Sequence, residues 1–270
     1  MIIDCHCHAG EGDGFTGPWD TAAPLGPYLS RAGRAGIGRT VLFSAFHTDY
    51  TRANRVVADI VARAPSRFAG FAFVNAKSSP AEVADLLEEA IAVNGFVGIK
   101  VHAHDGRLTR GVCEAARRFD VPILYDVMGD VASVELIARE YPSVRFIIPH
   151  LGSFADDWRA QRTFIDVLTR VPNVHTDTAG VRSFDLLAEA VRRAGPTKVL
   201  FGSDGPWLHP GLELAKIRAL HLPVAAERLL LGGNLLRLIR APRAWATSDD
   251  FNFHQSVGKN HARPRCFDGG

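Results

Sequence analysis

Apolar and polar positions follow two rhythms along most of the chain. Short runs rich in β-branched and aromatic residues fall at 2–5, 39–43, 68–74, 96–101, 121–125, 144–148, 174–177 and 198–201, and they read as buried strands. Between them, stretches at about 24–35, 51–64, 80–93, 108–119, 130–141, 155–170, 183–194 and 210–220 repeat apolar residues at helical spacing. Local chemistry sharpens one boundary: Ser79-Pro80 ahead of Ala81-Glu82 starts a helix with proline in its first turn. Leu86, Leu87, Ala90 and Ile91 share a face behind that start, and Asn94-Gly95 stops the helix.

Eight strands alternating with eight helices require a parallel sheet. In 270 residues the expected outcome is an α/β fold of the (β/α)8 barrel type. An open doubly wound sheet is the alternative, yet Gly10-Glu11-Gly12-Asp13-Gly14 has neither the G-x-G-x-x-G spacing nor the Lys-Ser/Thr of a phosphate loop. The glycines at 33, 36 and 38 precede a strand and read as a helix cap. Two short helices, at 225–230 and 235–240, would close a barrel spanning 1–240. The pattern breaks in the tail, 241–270, where Pro242, Pro264 and scattered basic residues accompany Trp245, Phe251, Phe253 and Phe267. Those aromatics predict that the tail docks on its own barrel or on a neighbouring subunit, and a homodimer through the tail is the working expectation.

Composition narrows the class. At 47% hydrophobic and 22% charged residues the chain can bury a sizeable core. A net charge of +2 excludes binding to nucleic acid by bulk electrostatics. No apolar run reaches the ~20 residues of a membrane span. Met1-Ile2-Ile3-Asp4 enters a strand without the basic and apolar segments of a leader, so the expectation is a cytoplasmic protein. Four cysteines do not make a disulfide framework in a chain of this length.

Barrel chemistry collects where strands end, and the polar residues fall there. The strand ends carry His6 and His8, then Ser44 and His47, Asn75, Lys100 with His102 and His104, Asp126, His150, Asp177-Thr178, and Ser203-Asp204. Of the 11 histidines, seven (6, 8, 47, 102, 104, 150 and 209) lie at or just past these ends. Residues two apart in a strand share a face, so His6 and His8 point into the mouth while Cys5 and Cys7 point outward, which excludes a Cys/His zinc knuckle. Strands one and eight are neighbours in a closed barrel, so Asp204 can converge with both imidazoles. Each residue also has a plainer role. Lys100 could form an ion pair with Asp126 or Asp204, His102 and His104 could be structural, His150 could be a core histidine, and His47 and His209 could be exposed loop residues. Asp177-Thr178 reads as a polar plug. Trp19, Phe46, Tyr50, Tyr125 and Trp207 fall on mouth-side loops, where they could line an apolar substrate pocket or pack the loops.

The segment Ile3-Asp4-Cys5-His6-Cys7-His8 resembles the opening of the amidohydrolase superfamily, and more closely its branch of mononuclear metal-dependent hydrolases and decarboxylases. The resemblance continues through Gly98-Ile99-Lys100-Val101-His102, Pro149-His150-Leu151-Gly152, Phe201-Gly202-Ser203-Asp204-Gly205-Pro206 and the run from Leu231 to Leu238. It implies a barrel with one divalent metal, usually zinc, held by His6, His8 and Asp204. Where that branch commonly has a metal-binding histidine at the fifth strand end, this chain has Asp126. A carboxylate there gives a two-His, two-Asp set suited to Zn, Mn or Fe, or it marks a metal-free site. The expected chemistry is hydrolysis of an amide, ester or lactone by activated water, with Asp204 accepting its proton, His150 acting on the oxyanion and Lys100 binding a substrate anion. His102, Trp207, Trp19 and Tyr125 are the expected substrate contacts. Decarboxylation of an aromatic or unsaturated acid is the alternative, and a non-catalytic barrel is the third reading.

Overall fold

Strands buried on both faces are what a closed parallel barrel demands, and the chain supplies eight. The structure is a computed structural model that describes residues 1–14, 22–155 and 157–245. Trp19, and the tail aromatics Phe251, Phe253 and Phe267, lie outside the described residues. In chain order the elements are β1 (Ile2–Glu11), β2 (Ala22–Ala23), α1 (Leu25–Arg34), β3 (Ile37–Ser44), α2 (Tyr50–Arg63), β4 (Phe68–Val74), α3 (Pro80–Leu87), β5 (Gly98–His102), α4 (Arg110–Phe119) and β6 (Ile123–Asp126). There follow α5 (Val131–Glu140), β7 (Phe146–Ile148), α6 (Trp158–Arg170), β8 (Val174–Asp177), α7 (Phe184–Ala194), β9 (Val199–Leu200), α8 (Pro210–Ala219), α9 (Val224–Arg228) and α10 (Asn234–Leu238). The eight long-range strands pair in parallel in the order β1-β3-β4-β5-β6-β7-β8-β9. The segment after β9 returns to β1, through Cys5 N–H to the Phe201 carbonyl at 3.0 Å and a parallel bridge between Cys7 and Gly205, and so joins the two edges. The fold is the (β/α)8 barrel. No described helix is long and apolar enough to cross a membrane.

Side chains sort into two apolar layers with the two-residue period of a strand. Ile99, Ile123, Phe146 and Val174 pack outward against the helices, while Phe43, Phe71, Leu124, Ile147 and Leu200 fill the barrel. Gly98 lies inside because a Cβ there would stand 2.4 Å from the Phe71 ring.

The elements agree with the sequence pattern with instructive differences. Ser79 and Glu82 form a reciprocal capping box at α3, but the helix widens into a π-turn over Glu88–Val93 before Gly95 ends it at φ +70°. The helix expected from 155 starts at Trp158, capped by the Asp157 side chain. β1 runs six residues beyond its predicted end at Cys5 and forms an antiparallel pair with β2.

One departure from regular pairing sets up the mouth. Asp4 is opposite Thr40 and Cys7 is opposite Leu42, so β1 carries one extra residue between them. This β-bulge breaks the alternation: Cys5 is in the barrel interior with Ile3, not outside it, while Cys7 is in the outer layer beside Tyr28. The expectation that Cys5 faces the helices is therefore corrected, because it assumed an unbroken period of two. Asp4 pins the bulge. Its Oδ1 accepts from the backbone N–H groups of His6 (3.1 Å) and Ser203 (2.9 Å), and its Oδ2 from Tyr28 Oη (2.7 Å) and the Ser203 hydroxyl. Burial pushes the Asp4 carboxyl up to about 6, against the four donors that pull it down.

At the other end of the barrel, Trp245 is 1% exposed and packs in the interior layer with Leu235, Leu238 and Ile239, its ring 5.3 Å from the Arg39 guanidinium. The tail's first residues thus dock on their own barrel.

Removing the Asp4 carboxylate takes the acceptor from four buried donors on His6, Tyr28 and Ser203 and frees the β1 bulge. Asp4→Ala is expected to lower stability by about 3–5 kcal/mol in urea denaturation, with Asp4→Asn recovering part of it; a loss under ~1 kcal/mol would mean the bulge holds without this residue.

Candidate metal centre and active site

The bulge delivers His6 and His8 to the mouth, where the loop after β9 brings Asp204. One ligand atom from each of these residues lies within 4.8 Å of the others. His6 Nε2 is 3.3 Å and His8 Nε2 3.6 Å from Asp204 Oδ1. The opposite ring nitrogens are tied down: His6 Nδ1 is 2.7 Å from Asp177 Oδ2, and His8 Nδ1 is 2.8 Å from the Ser44 carbonyl. An acceptor at each Nδ1 holds a proton there and turns Nε2 toward the centre, the support that metal-binding imidazoles require. Gly202 makes the approach possible, since a Cβ on it would come within 2.9 Å of His6 Cβ and 3.1 Å of Asp177 Cγ. Two imidazole nitrogens and one carboxylate oxygen suit a divalent cation of the zinc or manganese kind.

Asp126 is elsewhere engaged. Its Oδ1 accepts from Met128 N–H at 2.9 Å, and its Oδ2 stands 3.2 Å from His102 Nε2 and 3.4 Å from His150 Nε2. It is not among the atoms that converge with His6, His8 and Asp204. The expected fourth ligand is instead the centre of an imidazole–carboxylate–imidazole group. His150 Nδ1 also faces an acceptor, the Ala179 carbonyl at 2.7 Å. Acceptors facing both nitrogens favour the doubly protonated ring. Its pKa moves in the same direction: burial pulls it down, and Asp126 and Asp177 raise it above the usual value.

One carboxylate ties the two groups together. Asp177, read from sequence as a polar plug, binds His6 through Oδ2 and through Oδ1 accepts the backbone N–H groups of His150 and Ala179, each at 3.1 Å. Its place at a strand end was the available signal. The backbone of His150 and Leu151 is left-handed, at φ 60° and 54°, and Asp204 is at φ 55°. Such geometry is uncommon in residues other than glycine, asparagine and aspartate, and it clusters at functional sites.

Lys100 rises between these groups, 1% exposed, its ammonium 5.2 Å from the Phe43 ring and 5.9 Å from the Phe73 ring. Among the described residues no carboxylate makes an ion pair with it. Burial lowers its pKa, and the charges of Asp126, Asp204, Asp177 and Asp105 oppose that shift. Trp207 covers His8 with ring centroids 4.3 Å apart, and Phe46 stacks on the same imidazole at 6.1 Å and meets His102 edge-on at 4.9 Å. Phe154, not singled out in the sequence, stands edge-on to His150 at 5.1 Å.

Tyr125 is not at the mouth. It is 1% exposed in the outer layer, its hydroxyl accepting from Leu108 N–H, because a strand that turns Asp126 inward turns its neighbour outward. His47 packs near Asp13 at 3.6 Å, and His209 caps α8.

Burial pulls the His6 pKa down, but the charge and hydrogen bond of Asp177, with those of Asp204, push it up to about 9. Burial drives His8 well below the usual imidazole range. A cation must therefore displace a proton from His6 Nε2. Metal affinity of the apo protein is expected to rise with pH and level off above about 9, with proton release visible when calorimetric titrations are compared in two buffers. His6→Ala and Asp204→Ala should abolish stoichiometric metal, while Asp126→Asn should keep it; metal lost in Asp126→Asn would restore Asp126 to the ligand set.

A family model described as amidohydrolase matches residues 3–240. No curated protein matches the chain in sequence. Among solved structures, 5-carboxyvanillate decarboxylase from Sphingomonas paucimobilis is similar with a TM-score of 0.71 at 16% identity, over 90% of this chain and 99% of that one. A dihydroxybenzoic acid decarboxylase from Polaromonas, solved with bound manganese, gives 0.64 at 18% identity, over 88% and 96%. A probable 2-pyrone-4,6-dicarboxylic acid hydrolase from Acinetobacter baumannii gives 0.68 at 17% identity, over 88% and 98%. At these identities the structural likeness concerns the fold. Matched from Ile3 to Arg240, the chain belongs to the amidohydrolase family.

Proposed function

We propose that this protein is a metal-dependent hydrolase that cleaves an amide, ester or lactone bond of a small organic substrate. The observation that carries this reading is the position of Asp204. It converges with two imidazoles held by acceptors, and it is the member of that set that solvent reaches, with its side chain 13% exposed. Zinc is the cation this donor set suits first, with manganese second. When bound there, the cation supplies Lewis acidity, lowering the pKa of water toward ~7 and polarising a carbonyl.

The residues divide the remaining work. Burial raises the Asp204 pKa, but hydrogen bonding and charge from His6, with His150 and His8, bring it down to about 2, so it stays ionised and able to take a proton from attacking water. His150 keeps Nδ1–H on the Ala179 carbonyl, and its Nε2 proton, shared with Asp126 in a long 3.4 Å contact, is the one it turns toward the developing oxyanion or the leaving group. Asp126 favours the doubly protonated ring, and His102, with 16% of its side chain exposed, links the same carboxylate to solvent. Lys100 offers a buried positive charge to a substrate anion, and Phe46 and Trp207 line the approach.

Decarboxylation is the second reading, favoured by the aromatic rings flanking His8 beside the Lys100 cation, an arrangement suited to an aromatic carboxylate. The two decarboxylases of the same fold support it to that extent. Product analysis separates the readings. A panel of lactones, esters and amides turned over in 18O-labelled water should give acid products carrying the label and no carbon dioxide; carbon dioxide from an aromatic acid would overturn hydrolysis. His150→Gln should lower kcat about 10²–10⁴-fold with metal content unchanged.

A further inference from the structure

An open groove lies away from the mouth, where the end of α1 runs along α8. Its volume is about 360 Å3, and it is lined by Arg31 and Arg34 from α1, His209 at the head of α8, and Leu214, Ala215 and Arg218 along α8. Pockets of this size suit a small organic molecule. Three guanidinium groups and one imidazole face it, and no carboxylate is among its lining residues.

The charges are only partly compensated. Arg218 pairs with Glu227 at 3.1 Å, outside the lining. Arg34 donates to the neutral Ser30 hydroxyl at 2.9 Å. The Arg31 side chain, half-buried, has no hydrogen-bond or ion-pair partner among the described residues. Glu213, the acidic residue in the first turn of α8, is turned away: it pairs with Lys216 and accepts from Gly180 N–H. Basic residues in the last turn of a helix complement its dipole, which accounts for Arg31 and Arg34 on α1 and for Arg218 on α8 one helix at a time, but not for the convergence of all three on one groove. His209 accepts from Gly211 N–H through Nδ1 at 3.1 Å, so its proton is on Nε2, where it is a donor. Gly211 is needed for that contact, since a Cβ there would lie 3.0 Å from His209 Cε1.

We propose that this groove is a binding site for a small organic anion, whose oxyanion head is held by Arg31, Arg34 and Arg218 and whose apolar body lies on Leu214 and Ala215. Planar guanidinium forks match carboxylate and phosphate oxygens alike. The shared chemistry is therefore the oxyanion, and a phosphate monoester and a carboxylate are its two sources. The site is independent of the proposed hydrolysis and is tested without an activity assay.

The test is isothermal titration of the metal-loaded protein with phenyl phosphate, benzoate and inorganic phosphate, at ionic strength matched with potassium chloride. Saturable binding of phenyl phosphate or benzoate below about 1 mM is expected, and the stronger of the two identifies the source. The double variant Arg31→Gln/Arg34→Gln should weaken it at least tenfold, the scale of one lost charge-assisted hydrogen-bonding partner. Ala215→Glu, which keeps every arginine and sets a carboxylate in the groove, should do the same. Thermal melts of both variants check that they fold. Binding unchanged in both variants would place the anion elsewhere, Lys100 included, and overturn the proposal. So would the absence of saturable binding by all three probes in the wild-type protein.

Discussion

The extra residue in β1, held by Asp4, is the constraint on which the mouth depends. A regular strand would present His6 and His8 on one face and leave Cys5 on the other. The bulge instead turns Cys5 and His6 to the same side, so that His6 Nε2 comes within 3.3 Å of Asp204 Oδ1 while its Nδ1 meets Asp177. Asp4 also binds the backbone and hydroxyl of Ser203, the residue before Asp204. A single buried carboxylate thus sets the position of the strand that carries His6 and His8 and of the loop that carries Asp204. Closure of the barrel and assembly of the site are one event, because Phe201 and Gly205, which close the sheet on β1, flank Ser203 and Asp204.

Much of this was legible in the sequence because it is periodic. The eight parallel strands follow from apolar runs spaced by helical segments, and the crowding of histidines at strand ends marks the mouth. What was not legible arises where periodicity breaks or where partners are far apart in the chain. The bulge between Asp4 and Cys7 has no residue signature, so Cys5 was placed on the wrong face. Tyr125 reads as a mouth-side aromatic, although it belongs to a strand whose period of two puts it and Asp126 on opposite faces. Asp177 was seen as polar filler, since nothing local shows that its two oxygens reach residues 171 and 27 positions away.

Asp177 also makes the site rigid. One of its oxygens fixes the ring of His6, and the other accepts from the backbone N–H of His150, which sits in the left-handed region at φ 60°. The imidazoles of His6 and His150 therefore share a support, and their ring centroids are held 5.1 Å apart. Movement of either would break hydrogen bonds in an interior where an unpaired carboxylate is costly. The preorganisation that favours charge development in a transition state is built from one residue serving both groups.

The same reasoning decides the role of Asp126. Its oxygens are occupied by Met128 N–H, His102 and His150. To reach a cation beside His6 it would have to release two imidazoles, one of which would lose the partner that favours its charged form. Held where it is, it would leave a cation at His6, His8 and Asp204 with three protein ligands, the number that a catalytic rather than a structural metal site keeps. A histidine at position 126 could not play this part, because a neutral ring between two others offers a single lone pair in place of a negative charge. In the proposed mechanism the carboxylate at the end of β6 would thus serve the proton of His150 in place of a metal bond.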